Sequence, residues 1–296
     1  MKSKFKLNAM ALALGAGLIV ASAPVLAGIT WFGLTQFEDD NLDFFIDRNN
    51  DGLVNVGDDL VAIVEFNQTT GFPGGPASIL PHELTGVAAI RVTSIAPAGP
   101  LFIYSFGPTG IDYTGNGGLS AAGAMVALYL DPTPDLNVLG NSNCISFADC
   151  IAKAVDGSLW SVDGFGASVV GDDLGIDPDA YWNAILASNN PATVLASGPG
   201  VNLGGFNFGL SMMFNGTGIA NASFDEQSCF PFCGPGGNGK LDTVGSGSIL
   251  GGSGLTNGAF ARSDTDFTKQ VPEPATLALL GLGLLGMGAS LRKRKA

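Results

Sequence analysis

Twelve residues, Asp47-Arg48-Asn49-Asn50-Asp51-Gly52-Leu53-Val54-Asn55-Val56-Gly57-Asp58, place oxygen-bearing side chains at positions 1, 3, 5, 9 and 12 of one short loop. That spacing suits a hard divalent cation. Calcium takes six to eight oxygens at about 2.4 Å, and a chain of this pattern can wrap around one ion. Asp47, Asn49 and Asp51 would coordinate directly, Leu53 through its carbonyl, Asn55 through water, and Asp58 would close the shell. Gly52 would supply the sharp turn, and Asp59 adds charge next door. Asn-Asp-Gly also makes ion-free turns, so calcium binding and a plain turn are both open at this point.

Other chemistry-bearing constellations are poorer. The single histidine, His82, sits in Pro81-His82-Glu83, and a lone histidine is usually structural. No Gly-x-Ser-x-Gly, His-Glu-x-x-His or phosphate-cradling loop occurs. Asp172/Asp173 and Asp177/Asp179 would serve glycoside hydrolysis only if a cleft held them about 5–10 Å apart, and surface acids are the ordinary reading. The expectation is therefore a protein that is not an enzyme, with a secreted polysaccharide hydrolase as a distant alternative. Trp31, Trp160, Trp182 and Tyr181 would stack on sugars if exposed, although core packing is the commoner fate of such rings.

The 47–58 loop resembles the calcium loops of dockerins and other EF-hand-like proteins over these 12 residues only. It departs from them in having Asp58 where the EF-hand has a bidentate Glu, in occurring once, and in running into Leu60–Phe66, LVAIVEF, which reads as a strand. Cohesin binding is not carried over.

The elements around the loop read as β-structure. Val, Ile, Phe and Thr recur in short runs separated by Gly, Pro, Asn and Asp. Leu60–Phe66, Val87–Ile95, Leu101–Phe106 and Ala124–Leu130 are strand-like, and Phe206, Phe208, Leu210, Met212 and Phe214 alternate with smaller or more polar residues. Two helices are expected. Ser146 and Asp149 form a capping box ahead of Cys150–Val155, and Asp177-Pro178 would open a second helix through Tyr181, Trp182, Ile185 and Leu186. Pro231–Gly258 reads as a Gly/Ser-rich loop or linker. No internal repeat stands out. The fold expectation is all-β: a Gly-rich, β-sandwich-like body with one or two short helices.

The ends of the chain are signals. Lys2, Lys4 and Lys6 precede the apolar run Ala9–Val20, 12 residues long, and then Val25-Leu26-Ala27. That order is a secretory signal peptide, with cleavage expected after Ala27. At the other end Pro272-Glu273-Pro274 precedes 17 uncharged residues, Ala275–Leu291, and the cluster Arg292-Lys293-Arg294-Lys295. As a helix that span rises about 26 Å, enough for a thin bilayer, and the basic cluster would stay cytoplasmic. Together these features resemble the PEP-CTERM sorting signal. The resemblance implies recognition of the Pro-Glu-Pro region by a membrane enzyme, an exosortase, that cuts near it and passes the protein outward. The expected organisation is a signal peptide over 1–27, an exported domain over 28–270 and a sorting segment over 271–296. The membrane would be met only through the sorting helix.

The ends hold seven of the 13 basic residues and one of the 26 acidic ones, leaving six basic and 25 acidic side chains in the body. Such a surface repels nucleic acid and anionic headgroups. It suits divalent cations and, through them, acidic extracellular polysaccharide. Four cysteines in an exported chain point to disulfides. Cys144/Cys150 and Cys229/Cys233 are close in sequence, although three connectivities exist, and neither spacing is that of a thiolate metal site. The functional expectation is an exosortase-processed surface or matrix protein of a biofilm or floc. A calcium-dependent carbohydrate-binding module is the alternative, and proteins associated with flocculation resemble the acidic, Gly-rich body more loosely.

Overall fold

The computed structural model describes residues 33–71, 77–78, 82–138, 142–170, 175–176, 179–216 and 241–271. In chain order the elements are β1 (Gly33–Ile46), β2 (Asp59–Gly71), β3 (Ala77–Ser78), β4 (Glu83–Ala98), β5 (Leu101–Pro108), β6 (Ala124–Asp131) and helix α1 (Phe147–Ala154). There follow β7 (Ser158–Gly164), β8 (Ala167–Ser168), β9 (Gly175–Ile176), β10 (Tyr181–Leu186), helix α2 (Pro191–Ala196), β11 (Asn202–Asn215), β12 (Thr243–Gly251) and β13 (Ala261–Val271).

The all-β expectation holds, and the sheet closes on itself. Around the ring the order is β1–β2–β4–β6–β7–β11–β12–β13, every neighbouring pair antiparallel. Eight strands thus form a barrel, which leaves no open edge in the ring. The long strands β4 and β11 each change partner along their length. β4 pairs β6 through residues 83–88 and β5 through 90–98, while β11 pairs β10 through 204–209 and β7 through 211–215. Because β5 also pairs β10, the gap between β4 and β11 is filled by β6–β7 at one end and β5–β10 at the other.

Period-2 burial explains most strands. In β13 the odd residues Ala261 to Lys269 are buried, and the even ones between them are partly or fully exposed. The run LVAIVEF in β2 lacks alternation because both faces are covered. Leu60, Ala62, Val64 and Phe66 face the lumen, whereas Val61 and Ile63 pack outward into a second core with Leu42, Phe44, Val87, Cys150 and Ala154. Helix α1 supplies that outer cover. Its N-cap Ser146 Oγ accepts from Asp149 N–H at 3.3 Å, and Cys144, bonded to Cys150, ties it to the preceding loop.

Two expectations are corrected. The segment Tyr181–Leu186 is strand β10 and not a helix. Trp182, Ala184 and Leu186 point inward at a spacing of two, and both edges of the strand find partners, β5 and β11. A helical start signal at 177–178 does not outweigh that pairing; Asp177 and Pro178 themselves lie outside the described residues. Likewise Thr243–Gly251, inside the expected linker, is the barrel strand β12. Its glycines are sites of close packing. A Cβ at Gly245 would lie 2.3 Å from Phe208 Cζ, and one at Gly247 2.5 Å from Phe206 Cζ, across paired positions of β11. Glycine is required there because the aromatic rings lie flat over it.

Candidate functional site: the acidic loop and the barrel lumen

The loop joining β1 to β2 has the turn that its spacing predicts. Asn50 and Gly52 take φ of 60° and 77°. Asp47 accepts from Asn50 N–H at 2.6 Å and Gly52 N–H at 2.7 Å. The Gly52 bond, chief among several backbone donors, holds the Asp47 carboxyl below its usual range. Asn49 Oδ1 accepts from Asp51 N–H at 3.1 Å, and Asp51 Oδ1 from Leu53 N–H at 2.9 Å. The Leu53 carbonyl and Asp51 both receive the Asn55 amide, at 3.2 Å and at 2.7–2.9 Å.

Asp58 stands apart. It is 1% exposed, its Oδ1 accepts from Arg48 N–H at 2.9 Å and its Oδ2 from Asn55 N–H at 2.8 Å. Both oxygens staple the loop's own backbone. Among the described residues no three His, Cys, Asp or Glu side chains converge to hold a metal. A cation here would have Asp47 and Asp51 as carboxylates and would draw its remaining oxygens from Asn49, Leu53 and water.

Asp59, fully buried, anchors the loop to the barrel. It takes Arg48 through Nε at 2.9 Å and through Nη2, Arg91 Nε at 2.7 Å and Nη2 at 3.2 Å, and Tyr113 OH at 2.6 Å. Burial raises the Asp59 pKa, but hydrogen bonds from Arg91, Tyr113 and Arg48 outweigh it and leave the carboxyl below its usual range.

Tyr113 belongs to a second loop, residues 112–119. Asp112, Thr114 and Asn116 occupy positions 1, 3 and 5, with Gly117 at 6 and Leu119 at 8. Gly115 and Gly117 have φ of 70° and 96°, matching Asn50 and Gly52. Asp112 Oδ2 accepts from Gly117 N–H at 2.7 Å, as Asp47 Oδ2 does from Gly52. Position 8 is buried in both, Val54 and Leu119. The residues at position 2, Arg48 and Tyr113, meet at 2.9 Å. In the second loop Tyr129 OH donates to Asn116 at 2.7 Å, and Asp112 is the sole carboxylate. The same backbone turn is held here by hydrogen bonds to Asp112 and Asn116. An aligned comparison of the two loops would have shown this repeat.

The lumen holds the other polar groups. Lys269, 0% exposed, donates to Asp163 and, at 2.6 Å, to Thr243, which itself donates to Asp163 at 2.7 Å. Ser161 adds a hydroxyl to Asp163 at 3.0 Å. Desolvation pulls the Lys269 pKa down, against the Asp163 charge that holds it up. Farther along, Asn41 donates to Ser263 at 2.9 Å and Thr265 at 2.7 Å, and Ser263 donates to Asp43 Oδ1 at 3.1 Å. Trp160 and Trp182 are 7% and 8% exposed, which removes them as sugar-stacking platforms. Trp31, Cys229, Cys233, Asp172, Asp173 and the sorting residues Pro272, Glu273 and Pro274 lie outside the described residues.

A family profile decides the question of sorting: the PEP-CTERM protein-sorting motif matches residues 270–295. The chain carries the PEP-CTERM sorting signal. It is thus an exported protein targeted to an exosortase. No curated protein and no solved structure matches the chain. The PEP-CTERM match covers the terminal segment and leaves the barrel to be read from its own geometry. Among the described residues no helix is long and apolar enough to cross a membrane.

Intact-mass measurement of the extracellular form tests the processing. The expected mass lacks residues 1–27 and everything beyond the Pro272–Pro274 region. Exported protein that keeps Arg292–Lys295 contradicts cutting by an exosortase.

Proposed function

We propose that the protein is a non-catalytic component of the cell surface or extracellular matrix, supporting biofilm or floc formation by binding acidic polysaccharide through bridging divalent cations. One observation carries this reading: three of the five described cations are paired with buried carboxylates, and the other two bond to neutral carbonyls. Arg48 and Arg91 are bound to Asp59, Lys269 to Asp163, Arg262 to the carbonyls of Gly251 and Ser253, and Lys153 to that of Asn143. Asp51, Asp135, Asp156 and Asp264 face solvent, so the exterior charge is left to mobile counter-ions. Cosedimentation with an acidic exopolysaccharide is expected in millimolar calcium and lost with chelator. Association that is indifferent to chelator contradicts the bridging.

The acidic loop favours a second reading, a calcium-dependent carbohydrate-binding module. Extracellular calcium modules bind at about 10⁻⁴–10⁻³ M. At 10 mM calcium, linkage then adds at least about 1.4 kcal/mol of stability, a rise in Tm of about 3–6 °C for a domain of this size. Asp47→Ala and Asp51→Ala should abolish that rise, and Asp264→Ala should keep it. Asp58→Ala is expected to lower Tm with or without calcium, because it removes a backbone staple. An unmoved wild-type melting curve at 10 mM calcium makes the loop a turn only.

A further inference from the structure

An eight-stranded barrel is just wide enough for its own side chains to fill, or to hold one small ligand. This one is left partly unfilled. Three adjoining spaces of about 20, 70 and 50 Å³ occupy it. The first two share Leu60, Phe106, Leu186 and Phe260 as wall, and the second and third share Ala62, Ala88 and Trp182. One ordered water needs about 10–15 Å³, and a cavity of about 150 Å³ accepts benzene. The largest space alone, about 70 Å³, is about half of that and shares wall residues with both of the others.

The emptiness follows from residue choice. Ala62, Ala88 and Ala184 line the largest space where branched residues would fill it. Phe206 and Phe208 lie back over Gly247 and Gly245 instead of crossing the lumen. Trp182 stacks on them, with centroids 4.6 Å from Phe208 and 6.2 Å from Phe206. The wall of the largest space is apolar apart from Asp43 and Ser263. Asp43 enters the largest space, and its Oδ2 is buried with no hydrogen-bond partner, while Oδ1 takes the Ser263 hydroxyl. A buried carboxyl oxygen left unmatched is costly, and a ligand hydroxyl would satisfy it. Val54 of the acidic loop and Pro191 and Val194 of α2 cover the end of the row. Val54 N–H is tied there to the Asn189 carbonyl at 2.8 Å.

We propose that the barrel lumen is a binding site for a small uncharged alcohol with an apolar body of about benzene size, its hydroxyl bonded to Asp43 Oδ2 and its body among Ala62, Ala88, Ala184 and Trp182. Such a site is sized for a monomeric aromatic or alicyclic alcohol and excludes a polysaccharide chain, so it is separate from the surface role above.

Calorimetric titration of the full exported protein with benzyl alcohol, and with toluene as the hydroxyl-free probe, tests it. One saturable site is expected, with benzyl alcohol about tenfold tighter than toluene and a change in Trp182 fluorescence on binding. Asp43→Leu should bring the alcohol down to the toluene affinity. Ala184→Leu, which fills the lumen, should abolish both while keeping the barrel folded, and it serves as the decisive variant if Asp43→Leu does not fold. Absence of binding by either probe, or binding undiminished in Ala184→Leu, overturns the site. Equal wild-type affinity for the two probes overturns the role of Asp43.

Discussion

Replacing Lys269 by methionine is expected to lower the free energy of unfolding by about 3–5 kcal/mol, measured by chemical denaturation, because it strands a buried carboxylate. Lys269 and Asp163 are both essentially without solvent, and Asp163 would keep only the hydroxyls of Ser161 and Thr243. Pairing the change with Asp163→Leu removes the stranded charge together with its partner, and most of the loss should be recovered, since an apolar pair of similar volume often matches a buried ion pair. A loss below about 1 kcal/mol in the single variant would mean that Asp163 is hydrated or protonated in the folded state.

Stability should also fall as pH rises from about 4 to 7, the reverse of the usual acid sensitivity. Burial pushes Asp43 and Glu83 up to about 7 and Asp242 up to about 6. A carboxyl raised in the folded state favours folding most when protonated. That contribution is fully present below the unfolded value and is lost as pH passes through the folded one. Each pKa unit is worth about 1.4 kcal/mol, so the three together weigh on the order of several kcal/mol. Asp47, Asp59 and Asp112 are lowered and act oppositely, their stabilisation being lost only below about pH 4. Melting temperature should therefore peak near pH 4–5. Asp43→Asn with Glu83→Gln should flatten the decline towards neutrality, the Gln carbonyl still accepting from one of the Asp135 and Leu136 N–H groups that Glu83 holds through separate oxygens at 3.2 and 3.0 Å. A melting temperature that climbs from pH 4 to 7 in the unaltered protein contradicts this account.

What the sequence by itself determined were the features whose physics is local. The sorting segment is read from a proline-flanked Glu, an apolar length and a terminal charge cluster, none of which needs a fold to be recognised. The α1 cap is equally local, a hydroxyl three residues from the N–H it accepts. The turn of the acidic loop is local too, set by Asp47 and by positive φ at Asn50 and Gly52. Strands with alternating or continuous apolar runs were legible for the same reason. Tertiary structure decided the rest. Tyr181–Leu186 carries helix-like apolar spacing and a helical start signal, and only two waiting strand edges make it β10. The Gly/Ser composition of β12 reads as linker until Phe206 and Phe208 are seen to need glycine beneath their rings. Closure of the sheet into a barrel depends on β2 meeting β4 and on β4 and β11 each changing partner midway, pairings among residues far apart in the chain. The roles of Asp58, Asp59 and Asp43 were decided the same way. In sequence they are three acids near one loop. In the barrel the first staples backbone, the second holds two arginines and a tyrosine, and the third faces a partly unfilled lumen, because burial and partners, not spacing, set what a carboxylate does.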